Sequence, residues 1–585
     1  MCGILAFISS KPIDSSNNNF KSNALLCARK IRHRGPDGTG YFQSNHIGLV
    51  HNRLAIISPE SGNQPITNTD YTLVLCVNGE IFNFKELREK YKTYTYKTGS
   101  DCESILALYD SMRYTLVDGI YDYSKPNILT HYQIVSLISQ LDGQFSFILH
   151  DTITGMVFIV RDSFGITQLY YGMTAEGIIQ IASEMKALEQ CVTVNVFESG
   201  TYMYFNVIKP QLLPITYFNH IPQGDWINNY IPSPILNSDE QNILMKEIKV
   251  CFETSVINRL MCDSKVSFGI LLSGGLDSSL VASIAVQHIR SNPEIFGINP
   301  QIHTFSIGDK DSTDLPYAKI VADFLGTSHH EIRFTVEDGI NALESVIYHL
   351  ETYDITTIRA STPHFLLAQA IQALGIKMVL SGEGSDELLG GYLYFHHAPS
   401  DKEHQLECKK RVLDLGYFDC LRADKSTMSN SLELRVPFLS LDFIKLCINI
   451  HKDVKTQNGI EKYILRKAFD IKNQYNIPQY LPDEVLWRQK EQFSDSITYR
   501  WIDTLKLDTD ATVKTNSLIA YNHRELLYPF NTPQTTEAFY YRQIFEKLYP
   551  NREKTVKCWY PNIQWKGITS SDPSGRAQSC HIKNV

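Results

Sequence analysis

The chain has 585 residues, a length that predicts two to four domains with large cores. Hydrophobic residues make up 43% and charged residues 20%, the balance of a soluble globular protein. A net charge of −8, without a long Lys/Arg stripe, argues against nucleic-acid binding, and no apolar run reaches the length of a membrane span.

The opening residues Met1-Cys2-Gly3-Ile4 carry no basic segment ahead of the apolar ones, so no signal peptide is predicted. The twelve cysteines are scattered and form no Cys-x-x-Cys pair, so neither a zinc knuckle nor a thioredoxin-type motif is expected. A reduced, cytoplasmic setting fits them better than a disulfide scaffold. Should Met1 be removed, Cys2 would present a thiol and an α-amine on one residue. That amine, with an ordinary pKa of about 8, can take the thiol proton.

Strand-like apolar runs follow at residues 4–8, 47–50, 73–77, 145–149 and 157–160, with helices expected near 23–31 and 102–109. Many strands and few helices predict an α+β layered domain. Polar clusters separate the strands: 32–38, 51–54, 78–83 and 99–103. Each alone could be a turn, since Asn-Gly and Pro-Asp-Gly are turn sequences. With Cys2 they supply a thiolate, an amide donor beside a backbone N–H, a guanidinium and a carboxylate. Asn78 and Gly79 would donate to an oxyanion, Arg53 would pair an α-carboxylate, and Asp101 an α-ammonium. Residues 112–140 read as a surface insertion of unknown purpose.

Residues 209–240 are rich in Pro, Asn and Tyr and read as a connection; helical periodicity resumes at 241–260. Then comes Gly-Ile-Leu-Leu-Ser-Gly-Gly-Leu-Asp-Ser-Ser at 269–279. Residues 268–272 predict a buried strand, Ser273-Gly274-Gly275 a tight turn, and Ser278 the opening of a helix. A Gly-rich turn at a helix N-terminus is an anion site. Asp277 would repel phosphate unless a divalent cation sat between them, so the stretch reads as a pyrophosphate cradle with a magnesium handle. It does not match the Gly-x4-Gly-Lys-Ser/Thr loop. The plainer alternative is an ordinary strand-to-helix connection.

Strands are then expected at 302–307, 330–335 and 377–380, alternating with helices at 316–325, 336–350 and 362–374. That alternation predicts a doubly wound parallel sheet, an α/β domain. Ligands in such sheets bind at the strands' carboxyl ends, so three strands ending in Ser-Gly or Ile-Gly are candidates to line one pocket. Asp386, in the acidic loop 381–387, becomes a second magnesium ligand beside Asp277. The His pairs at 329/330 and 396/397 lack a third ligand and read as structural or exposed.

Met-Cys-Gly-Ile, Arg-Gly-Pro-Asp-Gly, His-x-Arg-Leu-x-Ile, Asn-Gly-Glu-Ile-Phe-Asn and Gly-Ser-Asp-x-Glu, in that order, resemble the glutaminase domain of the N-terminal-nucleophile amidotransferases. The resemblance implies a four-layer αββα sandwich over 2–205 that converts glutamine to glutamate and ammonia. It makes Cys2 the nucleophile, with Asn78 and Gly79. It builds the glutamine pocket from Arg53, Leu54, Ala55, Ile56, Ile57, Asn78, Gly79, Glu80 and Asp101. Ser58 stands where that family usually has Asp, and Ser163 and Gln168 also depart from its pattern.

The glycine loop resembles that of the ATP-pyrophosphatases. With Phe-Ser-Ile-Gly, Thr356-Thr357-Ile358-Arg359-Ala360-Ser361, Ser-Gly-Glu-Gly-Ser-Asp-Glu and Leu-Arg-Val-Pro-Phe-Leu, it is similar to the glutamine-hydrolysing asparagine synthetases. A tail containing Trp559, Trp565 and Asp572–Arg576 also matches, whereas Ser440 replaces a common Asp. The implied plan is a linker over 206–240, a synthetase domain over 241–550 and a tail over 551–585. The implied ATP site holds Leu272, Ser273, Gly274, Gly275, Asp277, Ser278, Ile307, Ser381, Gly382 and Lys462, with Mg2+ on Asp277 and Asp386. Thr356, Thr357 and Arg359 would hold aspartate, and Glu383 would govern formation of the acyl-adenylate. The implied reaction makes asparagine from aspartate, ATP and glutamine, with ammonia carried through an internal passage; a homodimer is the expected assembly. An amidotransferase acting on another carboxylate, or a non-catalytic relative, stay open as alternatives. The Thr-Thr-x-Arg-Ala-Ser match speaks against the first, and the joint presence of Cys2, Asp277, Asp386 and Glu383 against the second.

Overall fold

In the computed structural model, which describes residues 1–13, 18–117, 120–122, 126–217, 226–471, 479–489 and 501–568, the chain divides into two units. Unit 1 is Met1–Trp226 with Met261–Val266; unit 2 is Ile227–Leu260 with Ser267–Val585. The segment 572–576 singled out in the tail lies outside the described residues.

The strands of unit 1 are β1 (Gly3–Ile8), β2 (Gly38–Gln43), β3 (Ile47–Arg53), β4 (Ile66–Thr67), β5 (Leu73–Ile81), a hairpin β6 (Thr115–Val117) and β7 (Ile120–Asp122), β8 (Gly143–Asp151), β9 (Met156–Arg161), β10 (Tyr170–Thr174), β11 (Ile179–Ala182), β12 (Cys191–Val196), β13 (Thr201–Asn206) and β14 (Ile215–Thr216). Two antiparallel six-stranded sheets result, in the orders β12-β10-β11-β1-β3-β2 and β14-β13-β9-β8-β5-β4. Alternation along β5 shows why they stack. Val74 and Cys76 join Ile148, Val157 and Ile159 to meet Ile4, Ala6, Ile47 and Leu49 of the other sheet. Leu73, Leu75 and Val77 point the opposite way, onto Ile105, Leu106 and Tyr109 of the Glu103–Arg113 helix. A strand buried on both faces reads as a continuous apolar run, which is how β5 looks in sequence. The Asn18–Arg29 helix packs on β1 and β3, so the layers run helix, sheet, sheet, helix.

The stretch 112–140 is not only a surface insertion. Its His131–Ile138 helix, opened by a Thr130/Gln133 capping box, buries Ile134, Val135, Leu137 and Ile138 in the core beneath the second sheet.

Unit 2 is built on β15 (Phe268–Leu271), β16 (His303–Gly308), β17 (Ser328–Arg333), β18 (Met378–Leu380) and β19 (Glu433–Arg435). All neighbours are parallel, in the order β17-β16-β15-β18-β19. The chain steps outward from β15 to β17, then returns to the other side of β15 at β18. The switch point therefore lies between β15 and β18, whose carboxyl ends carry Ser273-Gly274-Gly275 and Ser381-Gly382.

Two helices begin earlier than their sequences suggest. The Leu276–Ser291 helix takes in Asp277, which sits in its first turn instead of in a loop. The Ile355–Gln372 helix takes in 356–361, because the Asp354 carboxylate accepts the Thr357 N–H at 2.8 Å and caps it. Pro363 lies inside that helix and cannot donate to the Arg359 carbonyl; the Trp501 indole N–H does so instead, at 3.1 Å.

Candidate active sites

In unit 1, β1 and β5 bring the N-terminus to Asn78. The Cys2 backbone N–H donates to Asn78 Oδ1 at 2.6 Å, and the Leu54 N–H donates to Cys2 Sγ at 3.4 Å. Burial pushes the Cys2 thiol up; the N-terminal charge and the Leu54 backbone bond act against that rise. Asn78 Nδ2 is buried and has no hydrogen-bond partner among the described residues. A buried amide donor left unpaired is costly, and a ligand oxygen would satisfy it.

The Asn-Gly pair at 78–79 is not a turn: both residues lie within β5. Gly79 has φ 143°, and a Cβ there would stand 2.0 Å from the Gln144 carbonyl oxygen, so glycine is obligatory. Asp101 Oδ2 accepts the Ile81 N–H at 2.7 Å, tying the 99–103 cluster to the end of that strand. Asp37 Oδ2 accepts the Ala55 N–H at 2.7 Å, and so shapes 54–57. Arg53 donates to the carbonyls of Ser58 (2.7 Å) and Pro59 (2.9 Å) and to Asn63 Oδ1 (2.9 Å). Its guanidinium thus ties down the loop that follows 54–57. Ser58, the position expected to be Asp, has φ 48°, a left-handed conformation that Asp and Asn tolerate better.

In unit 2 one cavity lies over the switch point. Leu271, Leu272, Phe305 and Ile307 form its apolar side; Ser273, Gly275, Asp277, Ser278, Ser381 and Gly382 line it between β15 and β18. Gly274 turns at φ 76°, where a Cβ would stand 2.4 Å from the Ala318 nitrogen. Lys462 Nζ lies 2.6 Å from Asp277 Oδ2 and 2.6 Å from Asp386 Oδ1, so the two expected metal ligands converge on one cation. Ser385 Oγ donates to Asp277 Oδ1 at 2.8 Å. Among the described residues no group of three or more His, Cys, Asp or Glu is arranged to hold a metal.

Thr356, Thr357 and Glu383 line the same cavity. Thr356 Oγ1 is buried with no hydrogen-bond partner among the described residues, whereas Thr357 Oγ1 donates to Asp354 Oδ2 at 2.7 Å. Arg359 does not join them. It lies on another face of the Ile355–Gln372 helix and grips the buried Glu537 carboxylate, with Nε 2.8 Å from Oε1.

The sequence reading missed Asp419 and Arg422, which open the Asp419–Met428 helix and line the cavity. Arg422 Nη2 lies 2.6 Å from Glu383 and 2.7 Å from Asp419. Burial acts to lower the guanidinium pKa, but the Glu383 and Asp419 charges overcome it and raise it. It also missed Arg488, which donates to the Gly274 carbonyl at 3.2 Å and pairs with Asp314. None of the three sits in a Gly-rich turn. Only the Asp-x-x-Arg spacing, which puts both side chains on one helical face, could have pointed to Asp419 and Arg422. His364, also in the cavity, is held neutral by burial, its pKa lowered to about 3.

The asparagine synthase family profile matches residues 247–414 and 400–569, and the glutamine amidotransferase domain profile matches residues 51–190. A protein of Dictyostelium discoideum named probable asparagine synthetase [glutamine-hydrolyzing] is 44% identical, covering 100% of both chains. Asparagine synthetase [glutamine-hydrolyzing] 1 of Arabidopsis thaliana is 43% identical over 99% of this chain and 93% of its own. Asparagine synthetase [glutamine-hydrolyzing] of Zea mays is 44% identical over 99% of this chain and 94% of its own.

Proposed function

Since the chain belongs to the glutamine-hydrolysing asparagine synthetases, ligases that make asparagine from aspartate, glutamine and ATP, we propose that unit 1 releases ammonia at Cys2 and unit 2 consumes it over the switch point. Loss of Met1 would turn the Cys2 nitrogen, now an amide donor to Asn78, into an α-amine able to take the thiol proton. The thiolate attacks the glutamine amide carbon, and Asn78 Nδ2 and the Gly79 N–H receive the oxyanion. Ammonia leaves and water hydrolyses the thioester to glutamate. Residues 54–57, Glu80 and Asp101 frame the glutamine, with Arg53 holding their loop.

In unit 2, Leu272 and Ile307 flank the adenine, and the two Ser-Gly turns with the first turn of the Leu276–Ser291 helix receive the phosphates. Asp277 and Asp386 fit a magnesium ion, which favours one or two carboxylates and completes its shell with phosphate oxygens. Magnesium would supply neutralisation of phosphate charge there. Lys462 would then meet the leaving pyrophosphate. Thr356 and Thr357 position aspartate, whose side-chain carboxylate attacks the α-phosphorus and gives β-aspartyl-AMP and pyrophosphate. Ammonia displaces AMP, with Glu383 taking a proton. Arg359 acts at one remove, holding the threonine helix through Glu537.

The observation that carries this reading is the single cavity that collects both Ser-Gly turns, Asp277, Asp386, Thr356, Thr357 and Glu383. No described helix is long and apolar enough to cross a membrane, and scattered cysteines suit the reducing cytoplasm in which we place the reaction. Light scattering tests the expected homodimer. The deciding experiment incubates the protein with ATP, magnesium, aspartate and glutamine. Asparagine, glutamate, AMP and pyrophosphate in equal amounts are expected; ADP and phosphate would overturn the proposal.

A further inference from the structure

Glu184 takes no part in the chemistry above, yet it is buried and gathers three basic side chains. Arg34 Nη1 lies 2.9 Å from Glu184 Oε1, His33 Nε2 lies 3.1 Å from Oε2, and Lys186 Nζ contacts Oε2. Burial alone would raise this carboxyl pKa; the charges of Lys186, His33 and Arg34 overcome it and hold the group well below the usual carboxylate range. Such a cluster could be a packing device, but one limb of it continues to the nucleophile. Arg34 Nε donates to the Cys2 carbonyl oxygen at 2.9 Å. Next door, Ser183 pairs with Ile4 in both directions: the Ile4 N–H donates to Ser183 Oγ at 3.0 Å, and the Ser183 N–H to the Ile4 carbonyl at 3.1 Å.

Cys2 is therefore gripped at both backbone ends. Asn78 takes its N–H, and Arg34 takes its C=O. Arg34 is a long side chain with many rotamers, and it is the Glu184 carboxylate that fixes its fork. We propose that Glu184 is a positioning residue for glutamine hydrolysis: through Arg34 it sets the Cys2 backbone, and with it the line along which the thiolate meets the amide. The proposal rests on Cys2 being the nucleophile. Lys186 balances the buried Glu184 charge, whereas Arg34 carries the bond to the Cys2 carbonyl.

The test compares Glu184→Gln, Arg34→Gln, their double variant and Lys186→Met in the full chain. Each is assayed for glutamine hydrolysis, for Cys2 alkylation by iodoacetamide, and for asparagine synthesis from ammonium salt as a control on the other unit. Glu184→Gln and Arg34→Gln are each expected to lower kcat for glutamine about 100-fold, the cost of a misplaced reacting group, with KM unchanged. The double variant should be no worse than either single one, because both cut the same chain of contacts. Glu184→Asp should recover part of the loss, and Lys186→Met should leave kcat near wild type. A Lys186→Met loss equal to that of Glu184→Gln would reduce the cluster to packing and overturn the proposal, as would a rise in KM alone. If Glu184→Gln does not fold, Glu184→Gln/Lys186→Met, which keeps the buried charge balanced, is measured instead: lowered kcat supports the proposal, wild-type kcat overturns it. Cys2→Ala separates the two levels. Hydrolysis surviving in Cys2→Ala removes the underlying reading; hydrolysis lost there but intact in Glu184→Gln removes only the positioning role.

Discussion

Asp277 and Arg359 both carry charge near the threonine helix and the glycine turn, but their surroundings give them different tasks. Asp277 shares Lys462 with Asp386 and faces the cavity. Asp277→Asn is expected to abolish aspartate-dependent pyrophosphate release while leaving glutamine hydrolysis intact; normal pyrophosphate release would remove Asp277 from the mechanism. Arg359 is forked onto buried Glu537. An ammonium cannot reproduce that planar pair, and a half-satisfied buried ion pair destabilises by about 3–5 kcal/mol. Arg359→Lys should therefore lower the melting temperature and weaken aspartate and ATP use together. A selective rise in the aspartate KM, at unchanged melting temperature, would mean that Arg359 touches the substrate after all.

At the scale of elements, the Ile355–Gln372 helix is set by its cap. Asp354 accepts from Thr357 on one oxygen and from the Trp559 N–H on the other, at 2.8 Å. Burial raises its carboxyl pKa to about 6, although those bonds act to lower it. A carboxyl whose folded pKa exceeds its unfolded value of about 3.9 makes the folded state less stable as pH rises between the two. The melting temperature of the wild type relative to Asp354→Asn should thus fall between pH 4 and pH 6 and stay level above. A rise over that window would contradict the assignment. This element also marks where sequence reading reached its limit. Strands β1, β3, β5, β8, β9 and β15 were legible because burial on both faces leaves unbroken apolar runs, whereas β2, β10–β14 and β19 were not singled out. The Ser-Gly turns, Asp277 and Asp386 could be singled out because small turn residues and charges directly follow buried strands there, and the structure gathers them round one cavity. The start of the threonine helix was not, since its cap is a contact and Pro363 argues against a helix until Trp501 supplies the missing donor. Asp419 and Arg422 were hidden for a related reason: an acid and a base three positions apart on an ordinary helix acquire meaning only beside Glu383.

For the molecule as a whole, the proposed separation of chemistries between units yields one clean prediction. Cys2 belongs to unit 1, and the cavity over β15 and β18 to unit 2. Cys2→Ala should lose glutamine-dependent synthesis and keep synthesis from ammonium salt, at a rate that rises with pH as neutral ammonia accumulates. Loss of synthesis from both donors would show that the units depend on one another for folding or activity.

The division itself is not a single cut. Unit 1 takes back six residues, Met261–Val266, after the chain has already built the Ser238–Asn258 helix of unit 2. Within that return, the Asp263 N–H donates to the Ile56 carbonyl at 3.2 Å, and Lys265 reaches Glu60 at 2.8 Å. Synthesis on a ribosome delivers those residues last. When Trp226 emerges, unit 1 still lacks the six residues that bond back to Ile56, and these arrive only after the Ser238–Asn258 helix has been translated. Completion of the first unit is in this sense timed by the second: a chain cut before residue 261 would carry unit 1 without its last segment.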